Sequence, residues 1–93
     1  MRLYHQPRSR SGRVLWMLEE IGAPYDLVAI TREQKQEDWF RALNPLGRSP
    51  VAEDEVGPIF ESAAIILQLA DLHPEAGLIA PAGSHDRALQ YQW

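Results

Sequence analysis

The fold is decided by Arg2–Ile30, RLYHQPRSRSGRVLWMLEEIGAPYDLVAI, in which two strand patterns flank one helix pattern. The opening residues, RLYHQ, alternate apolar and polar side chains and predict a strand. The closing residues, YDLVAI, predict a second strand. Because the connections to the helix are short, the three elements form a crossover, and the two strands are predicted to be parallel neighbours in one sheet.

The helix between these strands is predicted over residues 12–21. Its apolar side chains recur at the spacing of one helical face: Val14, Leu15, Leu18 and Ile21. Ser11 directly precedes the helix and is predicted to cap its N-terminus. Gly22 is predicted to end the helix, since glycine is common just beyond a helix and Pro24 prevents continuation.

After the second strand, the chain predicts a short helix, a β-hairpin and a longer helix. The short helix ends at Asn44, before a proline, and carries three side chains inward: Trp39, Phe40 and Leu43. PVAEDEVGPIF, residues 50–60, predicts two short strands around an acidic turn. Ser62 is predicted to cap the longer helix. The apolar side chains of that helix share a face formed by Ala63, Ile66, Leu67 and Ala70, which is widened by Ile65, Leu69 and Leu72.

The order of these elements is β-α-β, a short helix, then β-β-α. This order is typical of a thioredoxin-like α/β (α+β) domain, with a four-stranded mixed sheet and helices on both of its faces. We therefore expect one small domain built around a single sheet.

The composition limits the partners and the chemistry. The chain has 93 residues and a net charge of −4, which argues against nucleic acid or an anionic membrane as the main partner. No apolar run approaches the ~18 residues that cross a bilayer, and the N-terminus has no apolar signal segment, so we expect a cytoplasmic protein. Cysteine is absent, which excludes disulfides, thiolate metal ligands and redox-active cysteine pairs. The three histidines show no metal spacing: His5, His73 and His85.

Three segments carry a resemblance to a known family. They are LYHQPRSRSGRVLWMLEEIGAPYDLV, NPLGRSPV and IFESAAIILQLAD, and they occur in this order inside the β-α-β/β-β-α pattern. On these segments, residues 1–79 resemble the N-terminal, thioredoxin-like domain of the cytosolic glutathione S-transferase family. The resemblance implies that this domain binds glutathione, γ-Glu-Cys-Gly, as a co-substrate, with no cofactor and no metal.

The resemblance also implies a second domain. In the family an all-helical domain completes the pocket for an electrophilic small molecule, and most members form dimers, so we expect a homodimer at full length. Residues 80–93 are expected to be a linker and the first turns of such a domain, with Ser84 as the helix cap. Without the rest of that domain, one apolar flank of residues 1–79 is expected to be uncovered.

Pro50 has two interpretations. From the residues alone, it is a turn proline at the entrance to an edge strand, where no ladder donor is lost. The resemblance implies instead a cis peptide bond, with the main chain of Ser49 pairing with the cysteinyl unit of glutathione like an added strand. The family often has an apolar residue before this proline, so Ser49 is a departure, although a main-chain contact should survive it.

Glu61 and Ser62 also have two interpretations. From the residues alone, they are an acid and an N-cap at a helix start. A helix N-terminus also attracts carboxylates, and the resemblance implies that Ser62 holds the α-carboxylate of the γ-glutamyl unit while Glu61 pairs with its ammonium group. For the glycyl carboxylate, Arg48 and Lys35 are the candidates, and each is also consistent with an ordinary exposed cation.

The thiol of glutathione needs a group that stabilises its thiolate form. The resemblance implies a hydrogen-bond donor just after the first strand, where Ser9 is the first choice. Ser11 is the second, since it is also the predicted helix cap, and Arg8 is an alternative that would act by charge. Tyr4 lies on the strand itself and is expected in the core.

Three functions follow from the resemblance. The first is a glutathione transferase, in which the bound thiol attacks an electrophilic small molecule. The second is a non-catalytic relative that serves as a protein-interaction module. The third is a glutathione-dependent isomerase or dehalogenase, which would share every residue named here.

Overall fold

Four strands form one mixed sheet in the computed structural model, which describes all of residues 1–93. β1 (Arg2–His5) lies between β2 (Asp26–Ala29), to which it is parallel, and β3 (Val51–Glu53), to which it is antiparallel. β4 (Pro58–Phe60) pairs with β3 in an antiparallel hairpin. The strand order β2-β1-β3-β4 confirms the predicted thioredoxin-like fold.

The helices follow the predicted order. They are α1 (Ser11–Ile21), α2 (Asp38–Leu43), α3 (Ser62–Leu72) and α4 (His85–Gln92). Two short 3₁₀ turns lie in segments for which the sequence predicts no regular structure: Gln34–Gln36 and Pro74–Ala76. None of the helices combines the length and the apolar composition that crossing a bilayer requires.

The sheet is covered on both faces, as predicted. A core of six buried side chains lies between the sheet and helices α1 and α3: Leu3, Val14, Leu18, Ala52, Ile65 and Leu69. A second core lies on the α2 side of the sheet: Tyr4, Ile30, Phe40 and Val51. Leu3 and Tyr4 are consecutive residues of β1, and they enter different cores because side chains alternate across a strand.

Two predictions about side-chain direction are wrong. Trp39 is 42% exposed, and Phe40 is the buried residue of α2. The two rings pack nearly at a right angle, with their centroids 5.6 Å apart. In α3, Ala63 is exposed, and the buried residues are Ile65, Leu69 and Ala70. The buried stripe of α3 is therefore set by the larger side chains at positions i and i+4.

Neither Ser11 nor Ser62 caps its helix, contrary to the prediction. Each is the first helical residue, and the preceding residues, Arg10 and Glu61, make no side-chain capping hydrogen bond. The hydroxyl of Ser11 is turned back toward β1, where it accepts the main-chain N–H of Gln6 at 3.1 Å. Glu61, the residue directly before α3, has a positive φ of 77°, which lies in the left-handed region.

The ends predicted for α1 and α4 are confirmed. Gly22 ends α1 in the left-handed conformation that favours glycine, and Ser84 caps α4 by accepting the N–H of Arg87 at 3.1 Å. The guanidinium of Arg87 is buried and donates two hydrogen bonds to the Asp71 carboxylate at 2.8 and 2.9 Å and one to the carbonyl of Ala80 at 2.8 Å. These bonds dock the start of α4 against the end of α3.

The β-hairpin is closed by Asp54. Its carboxylate accepts the N–H groups of Val56 at 2.8 Å and Gly57 at 3.0 Å. Hydrogen bonds from the Gly57 and Val56 N–H groups hold the pKa of Asp54 below its ordinary value. A lowered carboxyl pKa stabilises the turn above the ordinary pKa of Asp, and this contribution is lost as the pH falls through the lowered value.

The six-residue core predicts how the free energy of unfolding changes when a core side chain is shortened. Leu18→Ala should lower the free energy of unfolding by about 2–5 kcal/mol, because Leu18 is fully buried between α1 and the sheet and its removal leaves a cavity. Leu72→Ala is the matched control: Leu72 is 54% exposed, so the loss should stay below about 1 kcal/mol. Urea denaturation measures both, and equal losses in the two variants would contradict this description of the core.

Candidate functional site

Three segments of the chain meet at one edge of the sheet. The register places Tyr4 opposite Val51 and Val51 opposite Phe60, so β1 ends where β3 begins and where β4 ends. The loop after β1, the segment before β3 and the residues after β4 are therefore brought to the same edge. These segments contain every predicted site residue except Lys35.

Three serine hydroxyls, from Ser9, Ser11 and Ser49, form a cluster at this edge, which we call the serine cluster. The oxygen of Ser9 lies 2.7 Å from that of Ser11 and 3.2 Å from that of Ser49. Ser9 also contacts the carbonyl of Gln6 at 2.8 Å, and it accepts the N–H of Ser11 at 3.2 Å. The serine cluster thus joins the loop after β1 to the residue that precedes Pro50.

Ser11 is the buried member of the cluster. It is fully inaccessible, and its hydroxyl contacts the main chain of Gln6 and the ring nitrogen Nδ1 of His5, the latter at 2.8 Å. A side chain in this position supports the loop and does not reach a ligand. Ser9 is partly exposed and lies between Ser11 and Ser49, so the geometry favours Ser9 over Ser11 as the donor to a ligand.

Arg8 is exposed at the tip of the same loop. Its φ is 60°, a left-handed conformation that costs free energy for any residue with a Cβ atom. Arg8 and Glu61 are the two residues other than glycine that have positive φ, and both flank this edge of the sheet. Strained main-chain conformations of this kind cluster at functional sites.

The segment before β3 is held by Asn44, which is buried. The side-chain amide of Asn44 donates to the carbonyl of Arg48 at 2.8 Å and accepts the N–H of Leu46 at 3.0 Å. The Ser49–Pro50 peptide bond that follows is cis. The main-chain N–H and carbonyl of Ser49 make no hydrogen bond to another main-chain group, so both remain available at the sheet edge.

The main chain of Lys35 packs against Gly47, the residue before Arg48. Gly47 is buried with φ of 62°, and a Cβ atom at this position would lie 3.0 Å from the carbonyl oxygen of Lys35. Only glycine permits this approach, because a side chain would meet a main-chain atom and would also be strained. The 3₁₀ turn that contains Lys35 therefore packs against the segment that contains Arg48.

The third segment is the start of α3. The first intrahelical hydrogen bond is donated by the N–H of Ile65 to the carbonyl of Glu61 at 3.0 Å, which leaves the N–H groups of the first helical turn without a main-chain partner. The Ser62 hydroxyl makes no hydrogen bond, and the exposed Glu61 carboxylate forms no ion pair. At the N-terminus of α3, the first-turn N–H groups and the Ser62 hydroxyl are therefore donors without a partner. The Glu61 carboxylate is an acceptor without a partner.

The cations near this edge are also unpaired. The ion pairs of the chain join Arg2 to Glu53, His73 to Glu75 and Arg87 to Asp71, all away from this edge. Arg8 and Arg48 lie on segments that meet at this edge and have no carboxylate partner, and neither has Lys35, whose turn packs against Gly47. In a chain of net charge −4, this distribution favours an anionic ligand at this edge.

Tyr4 takes no part in the site. Tyr4 is buried, and its hydroxyl donates to the carboxylate of Glu53 at 2.9 Å, which directs it away from the serine cluster. Burial raises the pKa of the Tyr4 phenol. The chain contains no group of three or more His, Asp or Glu side chains arranged to hold a metal ion.

Sequence reasoning missed three residues that build the site: His5, Asn44 and Gly47. In the sequence His5 shows no metal spacing and is not predicted as a site residue, but its ring contacts the serine cluster. Its position at the end of a predicted strand, before a serine-rich loop, is the only signal that the sequence offers. Asn44 and Gly47 flank a proline in NPLG, which indicates a turn but does not indicate which groups the turn supports.

Comparison with known proteins decides the family. The sequence model described as "Glutathione S-transferase, N-terminal domain" matches residues 3–77. The chain belongs to the glutathione S-transferase family.

The relatives within this family agree with the fold. Glutathione S-transferase 3 of Schizosaccharomyces pombe is 40% identical over 68 residues, which cover 72% of this chain and 28% of that protein. The structure of BphK, a bacterial glutathione S-transferase, in a ternary complex has a TM-score of 0.91 and 30% identity, and covers 100% of this chain and 48% of that one. A sphingomonad glutathione S-transferase in complex with glutathione has a TM-score of 0.89 and 29% identity. The match covers 99% of this chain and 48% of that one. The chain thus spans half or less of the length of these family members.

The contacts of Asn44 predict how the segment before β3 responds to mutation. Asn44→Ala should lower the free energy of unfolding by about 1–3 kcal/mol, because it removes the partners of the Arg48 carbonyl and the Leu46 N–H. Gln68→Ala is the control: Gln68 is exposed on α3 and makes no hydrogen bond within the chain, so its change should stay within about 0.5 kcal/mol. Chemical denaturation measures both, and an unchanged stability of the Asn44 variant would contradict the proposed support.

Proposed function

We propose that this chain binds glutathione and that the protein is a glutathione transferase. The observation that carries the proposal is that the serine cluster, the free main chain of Ser49 and the unpaired N-terminus of α3 lie at one edge of the sheet. Each of these features matches a different part of one tripeptide. Family membership, and the glutathione bound in the sphingomonad relative, support the same conclusion.

The γ-glutamyl unit is proposed to bind at the start of α3. It carries an α-carboxylate and an α-ammonium group on one carbon atom. The free N–H groups and the Ser62 hydroxyl can donate to the carboxylate, which the positive end of the helix dipole also attracts. The Glu61 carboxylate, which forms no ion pair within the chain, can accept from the ammonium group.

The cysteinyl unit is proposed to lie beside Ser49. An extended peptide can pair with the unbonded N–H and carbonyl of Ser49 in the way that a strand is added to a sheet edge. The glycyl carboxylate would then extend toward Arg48 and Lys35, which Gly47 holds in adjoining segments. Both cations lack a carboxylate partner within the chain.

This placement of the cysteinyl unit brings the thiol next to Ser9. A hydrogen bond donated by the Ser9 hydroxyl, with the positive charge of Arg8 nearby, favours the thiolate over the thiol. The thiol proton passes to solvent. The sulfur then forms a bond to an electrophilic carbon of the second substrate while the bond from that carbon to its leaving group breaks, and the leaving group departs with the electron pair. Ser9 is therefore the proposed catalytic residue, Arg8 contributes charge, and Ser11 supports the loop.

The organisation of the whole protein is part of the proposal. Residues 1–79 form the glutathione-binding domain, and residues 80–93 begin a second, helical domain. An apolar groove of about 840 Å³ lies on the α1 and α3 side, lined by residues that include Trp16, Leu67 and Trp93, and the rest of that domain would cover it. We also propose a cytoplasmic homodimer, in keeping with the family.

Calorimetry with glutathione tests the site directly. The full-length protein should bind glutathione, and Glu61→Gln and Ser62→Ala should each weaken binding by about 10- to 100-fold, since the first removes the negative charge that faces the ammonium group and the second removes a hydrogen bond to the carboxylate. Glu55→Gln is the matched control, because Glu55 is an exposed acid at the hairpin tip and should leave the affinity unchanged.

Two results would count against the proposal. Absence of binding heat at millimolar glutathione would exclude the site. Binding that is insensitive to both Glu61→Gln and Ser62→Ala would place the ligand elsewhere.

A further inference from the structure

The ring of His5 contacts the serine cluster from the side opposite Ser49. Nδ1 of His5 lies 2.8 Å from the Ser11 oxygen, which lies 2.7 Å from the Ser9 oxygen, which lies 3.2 Å from the Ser49 oxygen. These four groups form a continuous hydrogen-bond chain from the end of β1 to the residue before Pro50. A hydroxyl carries a single proton, so the direction of donation at one end of such a chain constrains the direction at the other.

Ser11 has a fixed partner that limits its choices. Its oxygen accepts the main-chain N–H of Gln6, which can only donate. If Nδ1 of His5 carries a proton, Ser11 accepts that proton as well, and both of its lone pairs are then occupied. The Ser11 proton then has two acceptors within reach, the Gln6 carbonyl at 3.1 Å and the nearer Ser9 oxygen at 2.7 Å, and the shorter contact favours donation to Ser9. The Ser9 proton is left free to turn from the Gln6 carbonyl to an acceptor on the Ser49 side.

A proton on Nε2 of His5 in place of Nδ1 reverses the direction of donation along this hydrogen-bond chain. If Nδ1 carries no proton, it accepts the proton of Ser11 at 2.8 Å, and the Ser9 proton then goes to the Ser11 oxygen or to the Gln6 carbonyl. The Ser9 proton is thereby directed inward. Ser9 would present only a lone pair to the Ser49 side, which would repel a thiolate.

We infer that His5 is a positioning residue whose protonated Nδ1 orients the hydroxyl of Ser9, through Ser11, as a donor toward the sulfur of bound glutathione. This inference rests on the proposed function, because it takes the cysteinyl thiol as the acceptor beside Ser9. His5 itself does not contact the ligand in this arrangement. It acts only by setting the direction of two hydroxyl groups.

The experiment measures the pKa of the glutathione thiol bound to the full-length protein, by titrating the ultraviolet absorbance of the thiolate. Ser9→Ala should raise this pKa by about one to two pH units, since a hydrogen bond to a charged group is lost. His5→Phe should raise it by a smaller amount, because both chain directions become available. The double variant should match Ser9→Ala alone, and His5→Asn, whose amide can donate in place of Nδ1, should restore the value toward that of the wild type.

The outcomes separate this inference from the proposed function. If glutathione does not bind the wild type, both fail. If it binds but Ser9→Ala leaves the thiol pKa unchanged, or if Ser9→Ala raises it while His5→Phe does not, the inference is overturned and the binding site remains.

A second measurement needs no variant. The nitrogen chemical shifts of the His5 ring, recorded by NMR on the wild-type protein, report which ring nitrogen carries the proton. A protonated Nδ1 is expected. A bare Nδ1 with the proton on Nε2 would overturn the inference.

Discussion

The buried hydrogen bond between the Gln6 N–H and the Ser11 hydroxyl is the interaction on which the rest of the site depends. It ties the residue that leaves β1 to the first residue of α1 and so constrains the loop between them. Ser9, at the centre of that loop, is thereby held 3.2 Å from Ser49, on a different segment. Because Ser11 is fully buried, the loop cannot move without leaving a main-chain donor unsatisfied.

The site is built largely from groups that the fold leaves unpaired. The sheet supplies the free main chain of Ser49, and α3 supplies the donors of its first turn. Arg8 and Glu61 hold left-handed conformations at the two sides of the edge, at a cost of the order of 1 kcal/mol or more each. Arg8 and Glu61 lie outside both cores, so the strain does not disturb the core packing, and the free energy of that packing offsets its cost.

The sequence predicts the fold well because hydrophobic spacing and turn residues determine it locally. The order of the elements, the parallel pairing of β1 with β2, the helix boundaries at Gly22 and Ser84 and the burial of Phe40 all follow from such patterns. The site was predicted only in part, because its residues act across loops. Ser11 has a typical capping position, yet its hydroxyl prefers the Gln6 N–H, and no spacing rule pairs His5 with Ser11.

A crystal structure of the protein with glutathione tests the central claim most directly, since it shows which atoms the tripeptide contacts. In that structure the sulfur should lie within hydrogen-bond distance of the Ser9 oxygen, and the cysteinyl main chain should pair with Ser49. The γ-glutamyl carboxylate should accept hydrogen bonds from the Ser62 N–H and hydroxyl. A sulfur that is distant from Ser9, or a γ-glutamyl unit bound away from the start of α3, would contradict it.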